Sequence, residues 1–136
     1  MKKVYIAGPL FTGSDRNFVA EIDQVLVSGG FGTYLPHRDA GLFIRGVSKS
    51  IDFFKKDLEA IKNCQILVAV LNGSDTDSGT SWEMGFAYAN GIPIIGILDD
   101  NRKPDKELLN PMVMNSSINI VKNKEELIEV LKKYNE

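Results

Sequence analysis

The chain has 136 residues, 43% hydrophobic and 25% charged, a composition that suits one globular domain, residues 1–136, with a single sizeable core. A formal net charge of −2 offers no broad basic field, so neither nucleic acid nor an anionic membrane is expected as a partner. A lone cysteine, Cys64, excludes an internal disulfide and reads as a packed thiol; one histidine, His37, with no Cys/His cluster, argues against a metal centre. No run approaches the roughly 20 apolar residues of a membrane span, and MKKVYIAGP has too short an apolar stretch for a signal peptide, so a cytoplasmic location is expected.

In chain order, KKVYIAG predicts a first strand. Phe18, Ile22, Val25 and Leu26 keep helical spacing from Asp15 to Ser28, and Gly29-Gly30 ends that helix. GTYLP is a short second strand, followed by HRDAGLFIRGVSK, an irregular loop of a length that usually serves function. A helix over about Ser50 to Asn63 carries Ile51, Phe54, Leu58 and Ile61 as its expected buried stripe. QILVAVL is apolar on both faces, as a central parallel strand must be. A helix begins near Thr80 and stops at Gly91; the strand IPIIGIL follows, then a polar loop from Asp99 to about Met112. INIV is the last strand, and Asn123 with Glu126 forms a capping box for the closing helix KEELIEVLKKY. This alternation predicts a doubly wound, flavodoxin-like α/β fold: five parallel strands in the order 2-1-3-4-5, with helices on both faces.

In such a sheet ligands sit beyond the carboxyl ends of the first and third strands, where GPLFTG and NGSDTDSGT meet. GPLFTG has phosphate-loop glycine spacing but Ser14-Asp15 where a Walker loop needs Lys-Ser/Thr, and the dinucleotide fingerprint is missing. Gly8 and Gly13 therefore read as a tight turn or as close backbone approach to a small ligand. Asp75, Asp77 and Glu83 bring three carboxylates to the crevice with no lysine or arginine between them, and acids so placed repel unless protonated or hydrogen-bonded. Thr80 and Glu83 also match a capping box, so the local pattern alone makes Glu83 a helix cap. Asp57 falls beside Phe54 and Ile61 at the edge of the apolar stripe, where a carboxyl tends to hold its proton and suits general acid work. Tyr5, near the end of the first strand, either packs or aims its hydroxyl at the same crevice. Two separated carboxyls, one nucleophilic and one acidic, are what glycosyl transfer with retention requires.

The succession VYIAGPLF, FFKKDLEAIKNCQILVAVLNG, DSGTSWEMGFAYANGIPIIG and NPM resembles the nucleoside 2-deoxyribosyltransferases over most of the chain. The resemblance implies transfer of a 2-deoxyribosyl group from one base to another through a covalent ester on Glu83, with no cofactor and no metal. It assigns Asp57 to the proton on the base, Tyr5 to orienting the nucleophile and Asp77 to the sugar's 5'-hydroxyl. Gly8, Gly79 and Met112 fall among its substrate contacts, and Asn110 in NPM is similar to a residue that reaches a neighbouring subunit's site. The expected partners are then 2'-deoxynucleosides, free nucleobases and a second copy of the chain. The related deoxynucleoside 5'-monophosphate N-glycosidases carry serine at the position of Asp77, whose carboxylate accepts from a 5'-hydroxyl and repels a 5'-phosphate. The rivals are such a hydrolase and a non-catalytic nucleotide-binding module. In the C-terminal tail, Tyr134 is the one aromatic available to a site.

Overall fold

A computed structural model describes residues 2–42, 44–102 and 105–134; Phe43 in the first expected loop and Lys103 and Pro104 in the second lie outside them. Five parallel strands form one sheet: β1 (Lys3–Ala7), β2 (Gly32–Tyr34), β3 (Ile66–Val70), β4 (Ile94–Ile97) and β5 (Asn119–Val121). Their order is β2-β1-β3-β4-β5, as the alternation of elements predicts. β3 and β4 are buried along their whole length because helices cover both faces, and the short β2 and β5 close the edges.

Strand periodicity sorts two cores. Val4, Ile6, Val68, Val70, Ile95 and Ile97 point to one face, where α1 (Gly13–Ser28) contributes Val19, Ile22 and Leu26 and α6 (Lys124–Lys132) contributes Leu127 and Leu131. Tyr5, Ala7, Leu67, Ala69, Leu71 and Ile94 point to the other, against α3 (Ser50–Lys62), α4 (Ser78–Ala89) and α5 (Pro111–Ser116). Cys64 belongs to this second core, and burial pushes its thiol up to about 11. Among the described residues no helix is long and apolar enough to cross a membrane.

Several boundaries differ from the expected ones. α1 starts two residues early because Thr12 and Asp15 form a capping box around its first turn. A helical turn, α2 (Pro36–Asp39), opens the segment expected to be irregular; Arg38 clamps it by ion pairs to Asp23 at 3.0 Å and Asp39 at 2.6 Å and by a bond to the Thr33 carbonyl. A 3-10 turn at Lys106–Leu108 and α5 occupy the expected polar loop, anchored by buried Leu109 and Val113. The closing helix is capped by Asn123, but Glu126 reaches the backbone of Lys122 rather than that of Asn123, so only half of the expected box forms.

The expected stripe of α3 is also corrected. Ile51 and Phe54 are 52% and 47% exposed, while Phe53, Asp57, Leu58, Ala60 and Ile61 turn inward. Phe54 meets Trp82 of α4 in a T-shaped pair, with ring centroids 5.6 Å apart. Asp57 thus faces inward below Phe53, one turn earlier on the same side.

Candidate active site

Glu83 lies in the second turn of α4, and the expected capping box around it does not form. Asp77 is the N-cap instead: its Oδ2 accepts from the Thr80 amide at 3.1 Å and from the buried Thr80 hydroxyl at 3.2 Å. Moving the cap three residues upstream releases the Glu83 carboxylate from backbone duty. It accepts instead from the hydroxyl of Tyr5, which the pleat of β1 directs toward α4.

Asp57, in the middle of α3, is the second carboxyl. Its Oδ1 accepts from the Tyr34 hydroxyl at 3.1 Å. The two tyrosines are register partners on β1 and β2, and their rings stack with centroids 5.3 Å apart. Each carboxylate is therefore met by a phenol rising from an adjacent strand.

Burial governs the protons here. It pushes Glu83 up to about 8; the Tyr5 hydroxyl opposes the shift, and the nearby Asp57 and Asp77 charges reinforce it. Burial also raises Asp57, against the Tyr34 hydrogen bond and the Lys56 charge. Tyr5 is held far above the ordinary phenol range by burial and by the Glu83 and Asp57 charges, so it stays a proton donor. Both acids have a raised proton affinity, and two carboxyls that interact in this way titrate as a pair.

Asp57, Asp77 and Glu83 line one cavity of ≈ 500 Å³ with Gly8, Gly79, Leu10, Phe11, Pro36, Gly41, Leu42, Arg45 and Phe53. It opens beyond the carboxyl ends of β1 and β3, at the switch point of the sheet. Gly8 is required there for packing: a Cβ would sit 2.9 Å from Val19 Cγ1 and 3.1 Å from Val70. Gly13 makes no such approach and begins α1.

Five of the expected site residues, Glu83, Asp57, Asp77, Gly8 and Gly79, thus share the cavity, with Tyr5 behind Glu83. Asp75 does not join them: it is exposed and accepts from the Thr76 amide at 3.0 Å. Asn110 caps α5 through Met112 N at 2.9 Å, and Met112, 80% exposed, lines a separate groove between α4 and α5. Tyr134 packs on the opposite core with Lys2 Nζ 6.0 Å from its ring, so it is remote from the cavity. Sequence reasoning missed Tyr34, Phe53 and Arg45. Phe53 was legible one turn before Asp57 on a helical wheel; Arg45, the only cation among the described lining residues, comes from a loop with no periodicity to read.

A carboxylate-lined cavity at the switch point of a flavodoxin-like sheet defines an α/β protein equipped for acid, base or nucleophilic chemistry on a small ligand. The chain belongs to the nucleoside 2-deoxyribosyltransferase family, whose model matches residues 4–127. A conserved protein from Enterococcus faecalis V583 is 27% identical, with a TM-score of 0.85 and coverage of 98% of this chain and 99% of that one. A 2-deoxyribosyltransferase from Bacillus psychrosaccharolyticus is also 27% identical, with a TM-score of 0.78 over 93% of this chain and 90% of its own. A CMP N-glycosidase from Clostridium botulinum, 20% identical over 98% and 99% of the two chains with a TM-score of 0.63, shares the fold. No curated protein sequence matches the chain significantly.

Proposed function

We propose that the protein transfers the 2-deoxyribosyl group of a 2'-deoxynucleoside from one nucleobase to another, with net retention. The observation that carries this reading is the pair of carboxyls, Glu83 and Asp57, each held by its own tyrosine and both lining one cavity in a chain of this family. The reactive form has one proton on the pair, carried by Asp57. Glu83 attacks the anomeric carbon as Asp57 gives its proton to the departing base, leaving a deoxyribosyl ester on Glu83. A second base then loses its proton to Asp57 and attacks the ester, which restores both carboxyls. The cycle calls on neither metal nor cofactor.

The donor hydroxyl of Tyr5 favours the ionised form of Glu83, and burial raises the proton affinity of Asp57, which suits it to carry the proton that the base takes. Asp77 uses Oδ2 as a cap, yet a carboxylate has about four acceptor sites and keeps capacity for a 5'-hydroxyl. Its charge disfavours a 5'-phosphate, which supports a nucleoside substrate. Asn110, away from its own chain's cavity, is assigned to the site of a second copy.

The test mixes deoxyinosine or thymidine with adenine. Deoxyadenosine is the expected product. Free deoxyribose alone would make the protein an N-glycosidase, and binding without turnover would make it a nucleotide-binding module, so either result overturns the transferase reading.

A further inference from the structure

The register of the β1–β2 ladder places Tyr34 directly opposite Tyr5, and both rings project to the face covered by α3 and α4. The rings are nearly parallel, 12° apart, so neither can turn without displacing the other. Their hydroxyls diverge to different acids, Tyr5 to Glu83 and Tyr34 to Asp57. Tyr34 is not among the residues lining the cavity; it approaches Asp57 from behind and lines a depression on the outer side of α3 with Lys3, Lys55 and Asn63.

We propose that Tyr34 is a positioning residue for the proton-carrying carboxyl: its hydroxyl pins Asp57 Oδ1, turns Oδ2 toward the base and, through the stacked ring, fixes Asp57 relative to the Tyr5–Glu83 pair. The proposal rests on the reading of Asp57 as the group that handles the base's proton. Burial and the charges of Asp57, Asp39 and Glu83 hold the Tyr34 phenol well above its ordinary range, so Tyr34 remains a donor while Asp57 changes state. The groups facing Asp57 are Tyr34 from β2, Tyr5 from β1, Glu83 from α4 and Lys56 from α3 itself, with Arg45 lining the same cavity. Of these, Tyr34 alone is hydrogen-bonded to it among the described residues. A fixed donor favours the carboxylate left when the proton departs, so it makes Asp57 a stronger acid than burial alone would allow.

The test follows Asp57 directly, by carbon-13 carboxyl titration, in the wild type, in Tyr34→Phe and in a protein with 3-fluorotyrosine at position 34. Phenylalanine keeps the stacked ring and deletes the donor, so the Asp57 midpoint moves up by about one pH unit, the size a single hydrogen bond to a charged group supports. Fluorotyrosine is the stronger donor and moves the midpoint down. In turnover, the basic limb of the rate with a natural leaving base moves up in Tyr34→Phe, while release of nitrophenolate, which needs no proton, keeps its rate. An unmoved midpoint in Tyr34→Phe, or shifts of the same sign in both variants, overturns the proposal. Opposite shifts in proteins that process no deoxyribosyl donor would uphold the positioning of Asp57 and sink the proposed function instead.

Discussion

Replacing Glu83 by glutamine should stabilise the protein at alkaline pH while ending turnover. Burial raises Glu83 from its ordinary 4.5 to about 8. Between those two values the folded chain keeps a proton that the unfolded chain has released, so wild-type stability falls as pH rises through that window. At about 1.4 kcal/mol per pH unit the full cost is ~5 kcal/mol at pH 8 and above. Glu83 is only part-buried and lines an open cavity, so solvent screening reduces this to about 2–3 kcal/mol. Glutamine still accepts from the Tyr5 hydroxyl through its carbonyl oxygen but carries no charge to desolvate. The assay is urea unfolding of both proteins from pH 4.5 to 9. The two curves should nearly coincide at pH 4.5 and separate steadily to pH 8, with the variant the more stable. A gap that does not change with pH, or a variant less stable than wild type at pH 8, would refute the claim that this carboxylate is held at a cost to the fold.

Asp57→Asn should slow transfer between natural bases by about 100-fold or more, in the range of lost general acid catalysis, while release of nitrophenolate changes little; equal losses with both would make Asp57 a purely positional group. Asp77→Ser should raise activity on a 5'-phosphorylated substrate relative to the free nucleoside, and cost about 0.5 kcal/mol or less in stability, because serine also caps helices well. An unchanged substrate ratio would remove Asp77 from recognition of the 5' position. Asn110→Ala and Glu83→Ala proteins should each be nearly inactive; after subunit exchange between equal amounts, random pairing into dimers restores about a quarter of the sites. No recovery despite proven exchange would place Asn110 outside a shared site.

The sheet order and its switch point were legible because apolar strands separated by helical stripes admit few topologies once crossovers are right-handed. Glu83, Asp57 and Asp77 were legible as acids near that point. Their partnerships were not. Thr80 and Glu83 satisfy the capping pattern in one dimension, but Asp77 reaches the same amide from a better start of the helix, and the choice depends on where the β3–α4 loop hands the chain over. Tyr34 was invisible for a related reason: its link to Asp57 spans 23 residues and depends on strand register, which local periodicity does not encode. The mistaken stripe of α3 arose because Phe53 and Phe54 are both apolar, and only tertiary packing decides which one faces inward.

α4 divides the molecule's unfinished business between its two sides. On one, Gly79 and Glu83 face the cavity; on the other, Ser81, Gly85 and Tyr88 face the groove shared with Pro111 and Met112. The cavity's charged lining consists of three acids and Arg45, and none of its described lining side chains is an amide or a hydroxyl, so on the proposed reading the sugar would find few neutral donors there. The groove has the opposite deficit. Tyr88 and Met112, which both line it, leave 66% and 80% of their surface in water. On the proposed reading a second copy seated against this face answers both: it covers the apolar side chains and brings Asn110 toward the neighbouring cavity. Twofold symmetry would repeat the exchange in the other direction, coupling site completion to burial of the same helix. Dilution below the dissociation constant should then lower activity in step with the loss of dimer, whereas a site complete within one chain would keep its specific activity at every concentration.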